Sequence, residues 1–279
     1  MANFKVFNNK IAIVTGAASG LGQGFATVMA KNGATIVAAD INLAGVKTTA
    51  ERITADGGIA EAHQLDVRDS VAVTKLVDDT VAKHGRIDYM FNNAGIATQG
   101  PVQDIPVEHW DEIIDINLKG VVYGSSAAYK HMVEQGSGHV VNTASLAGLV
   151  PSPLLAPYST VKFGVVGLSQ SLRAEARAHG VNVTALCPAF IESGIYEAAR
   201  YSGGLNETIG RAQIPRIVPL DKGVHTLLKG VAANKQIVTL PLYGHVFWRG
   251  YRLMPMLGVR LSGLLIKRQL KALAESENG

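Results

Sequence analysis

Tyr158 and Lys162 are the two side chains in this sequence whose types and spacing best suit proton-transfer chemistry. They lie four residues apart in a stretch that is predicted to be helical, so both project from one face of that helix. An ammonium group beside a phenol favours the phenolate and is expected to lower the phenol's pKa from about 10 toward neutral. Tyr158 could then protonate a ketone oxygen or deprotonate an alcohol. The same spacing occurs by chance on many helix surfaces, so the pair needs further support.

Two more polar residues, Ser145 and Asn117, are candidates for the same chemistry. Ser145 lies 13 residues before Tyr158, at the end of a strand predicted to be central, so its hydroxyl could hold a substrate oxygen against the phenol. A nucleophilic serine is the alternative, but the surrounding TASLA lacks the GxSxG pattern and no histidine partner can be assigned. Asn117 falls inside a predicted long helix, where asparagine normally costs helix propensity. It either forms a hydrogen bond in the core or holds a water for proton relay.

A glycine-rich loop, TGAASGLG at residues 15–22, lies between the first predicted strand and the first predicted helix. Gly16 permits a tight turn, Gly20 allows the backbone to approach a pyrophosphate, and Gly22 allows close packing of helix on sheet. The N-terminus of the helix offers unpaired N–H groups and a positive dipole end to phosphates. The spacing is GxxxGxG and a glycine triplet alone is weak, but its strand–turn–helix context favours a dinucleotide site.

Asp40 lies at the end of the second predicted strand, 20 residues after Gly20. A carboxylate at this point accepts hydrogen bonds from the ribose hydroxyls of an adenosine and repels a 2′-phosphate. Its neighbours Ser19, Ile41 and Asn42 supply no cation to attract that phosphate. The alternative is that Asp40 caps the next helix. The sequence therefore favours NAD over NADP.

Apolar, β-branched runs alternate with amphipathic stretches along the chain, which predicts βαβ units and an α/β fold with a parallel sheet covered on both faces. The predicted strands are apolar throughout, as strands buried on both faces should be. Strands are predicted at residues 10–15, 34–40, up to 66, 87–93, 138–145 and 181–187. Helices are predicted at residues 21–32, 43–56, 70–84, 108–135 and 157–179. Residues 188–220, rich in Gly, Pro and Ser, are predicted to form an irregular insertion.

Composition excludes several classes of protein. The single cysteine, Cys187, excludes an intrachain disulfide and a multi-cysteine zinc site; we expect no bound metal and a reducing compartment. The first ten residues are polar and no apolar run could span a bilayer, which favours a cytoplasmic protein. Of the net charge of +4, all resides in residues 241–279, which hold six cations and two acids. Because a nucleic-acid-binding protein usually carries its basic surface on the folded body, no nucleic-acid partner is expected.

Taken together, these motifs resemble the classical short-chain dehydrogenase/reductase family. The matching pieces occur in the family's order and spacing over roughly residues 8–240: TGAASGLG (15–22), Asp66-Val67, NNAG (92–95), Asn117, Ser145 and YSTVK (158–162). The resemblance implies a single Rossmann-like, doubly wound domain of three layers with a seven-stranded parallel sheet. It also implies an NAD(H)-dependent oxidoreductase that interconverts a secondary alcohol and a ketone. The implied catalytic residues are Asn117, Ser145, Tyr158 and Lys162.

The resemblance also implies where the cofactor binds. Asp66 and Val67 would lie at the adenine, the NAG of residues 93–95 would line the cleft, and Lys162 would hold the nicotinamide ribose. The segment after the sixth strand would contact the nicotinamide amide, although its usual Pro-Gly is Pro188-Ala189 here. The full set of expected cofactor contacts is Gly16, Ser19, Gly20, Leu21, Gly22, Asp40, Ile41, Asp66, Val67, Asn93, Ala94, Gly95, Tyr158, Lys162, Pro188, Ile191 and Ser193.

Two apolar segments are predicted to form the substrate wall, residues 146–157 and the insertion 188–220, in which Ser202-Gly203-Gly204 could act as the hinge of a lid. The candidate wall residues are Leu146, Leu149, Val150, Leu154, Leu155, Phe190, Ile191, Ile195, Tyr196 and Tyr201. Neither segment offers a clear cation, so a bulky apolar alcohol or ketone (steroid-, lipid- or aryl-like) is expected. The alternative for about half of these residues is packing in the core. The alternatives are a catalytically silent NAD(H) sensor and a dehydratase or epimerase of the same family.

The last segment, residues 241–279, departs from the glycine-rich final strand of many family members and is more similar to the tails of retinol- and steroid-type members. This makes the family's tetramer doubtful and favours a homodimer through the helices 108–135 and 157–179. Its mixture of aromatic, apolar and basic residues suits either packing over the cleft or a partner subunit, or docking on an anionic membrane. We favour packing on protein, because basic amphipathic stretches commonly bury their apolar face that way.

Overall fold

The computed structural model describes residues 4–208 and 217–277, except for the side chains of residue 265 and residues 268–277. In these ranges a seven-stranded parallel sheet carries helices on both faces, in one domain. The α/β, doubly wound, three-layer fold predicted from the sequence is confirmed.

The strands of the central sheet follow the order β3-β2-β1-β4-β6-β7-β9, and every neighbouring pair is parallel. Two short strands, β5 and β8, form a separate parallel pair. The bounds are β1 Ile11–Thr15, β2 Thr35–Asp40, β3 Ile59–Gln64, β4 Tyr89–Asn92, β5 Thr98–Gln99, β6 Gly138–Thr143, β7 Val181–Pro188, β8 Arg200–Tyr201 and β9 Ile237–Leu240.

The helices divide between the two faces of the sheet. Buried side chains of α1, α2 and α7 form one cluster with the sheet, and those of α3, α5 and α6 form clusters on the other face. The bounds are α1 Gly20–Ala30, α2 Leu43–Ala55, α3 Ser70–His84, α4 Val107–Ile114, α5 Gly120–Gln135, α6 Ala156–Ala176, α7 Leu220–Ala232, α8 Leu242–Leu253 and α9 Pro255–Glu277.

The order of the strands reverses between β1 and β4, since the chain runs outward from β1 to β3 and then returns to the other side of β1. In open α/β sheets the carboxyl ends of the strands at such a switch point form a crevice. The predicted glycine loop follows β1, and the NNAG segment overlaps the end of β4. The topology therefore brings these two motifs together.

Short polar side chains and glycines set the helix ends. Asn42 caps α2 by accepting a hydrogen bond from the N–H of Gly45, and Asp69 caps α3 by accepting from the N–H groups of Val71 and Ala72. Helix α3 ends at Gly85, whose φ of 74° lies in the left-handed region that glycine adopts without strain. These local signals explain why the boundaries predicted for the first half of the chain lie within a few residues of the observed ones.

The structure corrects two of the sequence-based expectations. The helix predicted over 108–135 is interrupted by a π-helical turn, Asp115–Lys119, between α4 and α5. The expectation that every strand is apolar and doubly buried is wrong for β3, whose residues Ile59–Gln64 are only partly buried or exposed. The reason is that β3 is an edge strand, with a neighbour on one side only.

The chain after β9 continues into α8 and α9, which contact each other. Helix α8 lies against the domain through the buried Gly244, where a Cβ would come 3.4 Å from Leu146, and through the partly buried Trp248. None of the helices that the structure describes has the length and hydrophobicity required to traverse a lipid bilayer.

Candidate active site

Tyr158, Ser145 and Lys162 meet at the carboxyl end of β6. Tyr158 and Lys162 lie in the first turns of α6, and Ser145 follows β6 by two residues. The hydroxyl of Ser145 accepts a hydrogen bond from the N–H of Ala147 at 3.1 Å, donates one to the carbonyl oxygen of Pro188 at 3.4 Å and interacts with the side chain of Tyr158. The structure therefore brings together three of the four residues that the sequence assigned to catalysis.

Lys162 is almost completely buried, and its ammonium donates a hydrogen bond of 2.7 Å to the carbonyl oxygen of Thr143. Its Nζ lies 5.5 Å from the centre of the Tyr158 ring, over the ring and not in hydrogen-bond contact with the hydroxyl. Two elements therefore fix the lysine: helix α6 carries it, and the end of β6 holds its tip.

The expectation that Lys162 lowers the pKa of Tyr158 is wrong for this structure. Burial raises the pKa of Tyr158 to about 12, and the hydrogen bond from Ser145 lowers it by less than burial raises it. Burial also lowers the pKa of Lys162 to about 8, because the charged ammonium is separated from water. Burial is the largest influence on both groups, so at neutral pH the phenol keeps its proton.

A cavity of about 450 Å³, which we call the glycine-loop cavity, lies over the carboxyl ends of β1, β2, β4 and β6. The expected cofactor contacts line it with one exception, Gly22. A Cβ on Gly22 would overlap the carbonyl oxygen of Gly16, so this glycine allows helix α1 to pack against the loop instead of facing the cavity.

The glycine loop has the shape of a cradle. Gly16 and Gly20 have φ values of 67° and 54°, in the region that favours glycine. A Cβ on Gly20 would come 2.6 Å from the carbonyl oxygen of Ser193, so the segment after β7 closes directly over the loop. Helix α1 begins at Gly20, and no side chain caps its first N–H groups. A helix start of this kind fits the pyrophosphate of a dinucleotide.

Thr15 connects the ends of β1 and β4 beneath the cavity. Its Oγ1 accepts hydrogen bonds from the N–H groups of Asn93 and Ala94 at 2.9 and 3.1 Å and donates to the carbonyl oxygen of Phe91. The amide of Asn93 donates to the carbonyl oxygen of Thr15, and its Oδ1 accepts from Thr143. Asn93 and Ala94 are therefore held in place by side chains at the ends of β1 and β6, the two strands beside β4.

Asp40 lies at the end of β2 with its carboxylate in the cavity wall. One carboxylate oxygen accepts from the N–H of Ala18 at 3.0 Å and the other from the N–H of Asn42 at 2.9 Å. Asp40 does not cap α2, since Asn42 does so. The carboxylate therefore has a fixed orientation beside the glycine loop.

Arg68 lines the same cavity and was not found by sequence reasoning. Its guanidinium donates to both carboxylate oxygens of Asp66, from Nη2 to Oδ2 at 2.6 Å and from Nε to Oδ1 at 3.0 Å, and this pairing lowers the pKa of Asp66. The position of a cation two residues after Asp66, a candidate adenine contact, could have indicated this residue. The loop between β3 and α3 turns the Arg68 side chain back onto Asp66, which the sequence alone does not show.

Asn117 occupies the π-helical turn and is fully buried. Its Oδ1 accepts from the N–H of Ile96, and its Nδ2 donates to the carbonyl oxygen of Ile96, both at 2.8 Å. Asn117 lines neither cavity, whereas Gly95 and Ile96, which it holds, line the glycine-loop cavity. The core hydrogen bond foreseen for this residue is present, and its part in proton relay stays a prediction.

A second cavity of about 320 Å³, the apolar cavity, adjoins the first. None of the described residues that line it is charged. Five of the ten predicted wall residues belong to it: Leu146, Leu155, Phe190, Ile195 and Tyr196. Among the others, Leu149, Leu154 and Ile191 are buried in the core. Sequence reasoning missed Ser262 and Ile266, which helix α9 contributes to the wall from far along the chain.

The first part of the predicted lid is attached to the rest of the domain at two points. Strand β8 pairs with β5, and Arg200 forms an ion pair with Glu112 of α4 at 3.2 Å. The hydroxyl of Tyr201 donates to the carbonyl oxygen of Tyr196 at 2.8 Å. The hinge predicted at residues 202–204 precedes residues 209–216, which lie outside the described residues.

Comparison with known proteins agrees with this geometry. The family model described as short chain dehydrogenase matches residues 10–202. The chain belongs to the short-chain dehydrogenase/reductase family. It is 37% identical over 259 residues to the "Probable oxidoreductase EphD" of Mycobacterium tuberculosis, covering 89% of this chain and 44% of the relative. The chain thus corresponds to less than half of that relative's length. It is also 38% identical over 184 residues to the D-threitol dehydrogenase of Mycolicibacterium smegmatis, covering 66% of this chain and 71% of that one.

Solved structures of the family share the fold. A short-chain dehydrogenase/reductase from Burkholderia phymatum in complex with NAD superposes with a TM-score of 0.80 at 26% identity, covering 87% of this chain and 92% of that one. A metagenomic short-chain oxidoreductase in complex with NADP superposes with a TM-score of 0.63 at 33% identity, covering 65% and 83%. The family therefore includes members crystallised with either dinucleotide.

Proposed function

We propose that this chain is an NAD(H)-dependent oxidoreductase that interconverts a secondary alcohol and a ketone on a bulky apolar substrate. One observation carries the proposal: Tyr158 and Ser145 line both cavities. A dinucleotide in the glycine-loop cavity and an apolar substrate in the neighbouring cavity would meet at these two hydroxyl groups. The kinship with a D-threitol dehydrogenase supports alcohol chemistry at this site.

Each of Tyr158, Ser145 and Lys162 has a separate role in the proton transfer. A bound nicotinamide supplies or accepts the hydride. In the reducing direction Tyr158 donates its proton to the oxygen that becomes the alcohol, and Ser145 holds that oxygen by hydrogen bonding. Burial raises the pKa of Tyr158, so in the neutral range the phenol holds the proton that it donates in this step. The ammonium of Lys162, above the ring, stabilises the phenolate that remains after transfer.

Asp40 supports NAD as the preferred dinucleotide. Its carboxylate is oriented by two backbone N–H groups beside the glycine loop, where it would accept hydrogen bonds from ribose hydroxyls and repel a 2′-phosphate. Arg68 could attract such a phosphate, but its guanidinium is already paired with Asp66. The balance of charge at this end of the cavity therefore favours the unphosphorylated ribose.

The experiment that tests the proposal measures turnover of a panel of apolar secondary alcohols and ketones with NAD(H) and NADP(H). We expect Tyr158→Phe to lose activity by about 10²- to 10⁴-fold, the usual contribution of a general acid or base, while NADH still binds. Tyr129→Phe, which removes a hydroxyl from a partly buried tyrosine of α5 outside both cavities, is the matched control. Equal turnover in the two variants would remove Tyr158 from its proposed role.

The cofactor assignment has its own test. Asp40→Asn keeps the size of the side chain and removes its charge, so the ratio of kcat/KM for NADP to that for NAD is expected to rise by about tenfold or more, as relief of a close charge repulsion allows. An unchanged ratio would show that Asp40 does not select the dinucleotide. Retained binding of NADH without any turnover in the wild-type chain would instead identify a sensor.

A further inference from the structure

The two C-terminal helices expose an unusual amount of apolar surface. Of the seventeen large hydrophobic side chains that are exposed in the described part of the chain, ten lie between residues 242 and 264. We call these ten residues the tail surface. They are Leu242, Val246, Phe247, Leu253, Met254, Met256, Leu257, Val259, Leu261 and Leu264.

Helix α9 has two different sides. Ser262 and Ile266, one turn apart, face the domain and line the apolar cavity. Leu257, Leu261 and Leu264 follow each other at spacings of four and three residues, which places them in one stripe along the helix. All three are exposed, so this stripe does not take part in the packing that holds α9 over the cavity.

The charge of this region has a single sign. Arg249, Arg252, Arg260 and Lys267 are all exposed, and the sequence has no Asp or Glu between residues 241 and 274. None of these four forms an ion pair with any residue in the described part of the chain. Arg260 and Lys267 lie seven residues apart on α9, beside the leucine stripe. Apolar and cationic side chains thus lie together on the exposed sides of α8 and α9.

The combination of apolar and cationic side chains indicates what kind of partner the tail surface binds. In a symmetric dimer the same patch meets itself, so a second copy would bring the unpaired cations of both subunits together. An anionic lipid bilayer offers apolar depth for leucine, methionine and phenylalanine and negative headgroups for arginine and lysine. We propose that the tail surface docks the protein on an anionic membrane, with α9 lying in the interface.

Docking in this way places the apolar cavity beside the membrane. The inner side of α9 forms part of the cavity wall while its outer side contacts lipid, so an apolar molecule dissolved in the bilayer has a short route to Tyr158. This consequence rests on the proposed function and names its substrate class, a membrane-dissolved alcohol or ketone. The docking itself is independent of turnover.

Vesicle flotation of the full chain tests the docking. Phosphatidylcholine vesicles with and without roughly one third phosphatidylserine are the probes, and binding is expected to the anionic vesicles and to weaken as salt is raised. Arg260→Gln/Lys267→Gln is expected to bind the anionic vesicles about 30-fold more weakly, since each basic side chain near an anionic surface contributes about fivefold. Lys222→Gln/Lys229→Gln is the matched control, because these two exposed lysines have the same spacing on α7.

The outcomes separate the proposals. Loss of vesicle binding in the tail variant alone, with unchanged turnover of a water-soluble ketone, supports membrane docking. Equal binding to neutral and anionic vesicles, equal loss in both double variants, or no vesicle binding at all overturns it. A different result would assign the surface to a second copy of the chain. In that case the wild-type chain is a dimer that does not float, and Leu257→Ser/Leu261→Ser converts it to a monomer. Floating without any turnover would leave the docking standing and refute the proposed reaction.

Discussion

The contact between Asn117 and Ile96 makes a prediction whose size follows from the structure. Replacing Asn117 by leucine keeps the branched shape and the number of heavy atoms of this fully buried side chain but removes both partners of the Ile96 peptide groups. Each buried polar group left without a partner costs about 1–3 kcal/mol, so the two together cost about 2–6 kcal/mol. Because Ile96 is only partly buried, we expect the lower half of that range.

Urea unfolding followed by circular dichroism measures this loss as a fall in the transition midpoint. The matched control is Gln170→Leu, which makes the same exchange of amide for leucine at an exposed position on α6 and is expected to change stability by less than about 0.5 kcal/mol. A leucine variant at position 117 that is as stable as the control would contradict the pairing with Ile96.

The same variant tests how Asn117 affects the site. Gly95 and Ile96 line the glycine-loop cavity, so a displaced loop should weaken NADH binding, which nucleotide fluorescence measures below the unfolding transition. A positioning residue of this kind changes binding and turnover together. If kcat falls while the affinity for NADH stays constant, Asn117 has the proton-relay role that the sequence suggested.

Three further predictions follow from individual residues. In the cofactor-free protein, ¹³C-tyrosine NMR should show Tyr158, identified by its absence in Tyr158→Phe, titrating with a pKa of about 12; a midpoint near neutrality would contradict the dominance of burial. Burial lowers the pKa of His139 from its usual value of 6.5 to about 3, so below pH 6.5 the unfolded chain binds a proton that the folded chain excludes. The free energy of unfolding should therefore fall by about 2 kcal/mol from pH 7 to pH 5. In His139→Gln, which can keep the hydrogen bond to Thr184, urea unfolding should show a smaller fall over the same pH range. An equal fall in the variant would show that other groups cause the acid sensitivity. Gly22→Ala, whose Cβ would overlap the Gly16 carbonyl, should lower both Tm and NADH affinity, whereas Gly167→Ala, with open space around it on α6, should be neutral or stabilising by up to about 1 kcal/mol; equal effects would refute the loop packing.

Short-range patterns were enough for the fold, the glycine loop, Asp40 and the pair Tyr158 and Lys162, whereas the family resemblance supplied the other expected cofactor contacts. The glycine loop, the end of β2 and the pair on α6 each depend on spacings of a few residues, and a strand or helix converts such a spacing directly into a shared face or a shared edge. The alternation of strands and helices then brings the carboxyl ends of the strands together, because parallel strands with crossover helices all point the same way. Sixteen of the seventeen expected cofactor contacts line one cavity for this reason.

Properties that depend on neighbours distant in sequence could not be obtained in the same way. The spacing of Tyr158 and Lys162 suggested a lowered phenol pKa, but burial in the folded protein raises that pKa. In the same way, Asn117 proved to face Ile96, and α9 supplies Ser262 and Ile266 to a cavity whose other lining residues lie more than sixty residues earlier in the chain. Local sequence spacing predicts which side chains are close together on one helix. The hydration of a group and the walls of a cavity depend instead on all the segments that pack around them, and these segments come together only when the chain has folded.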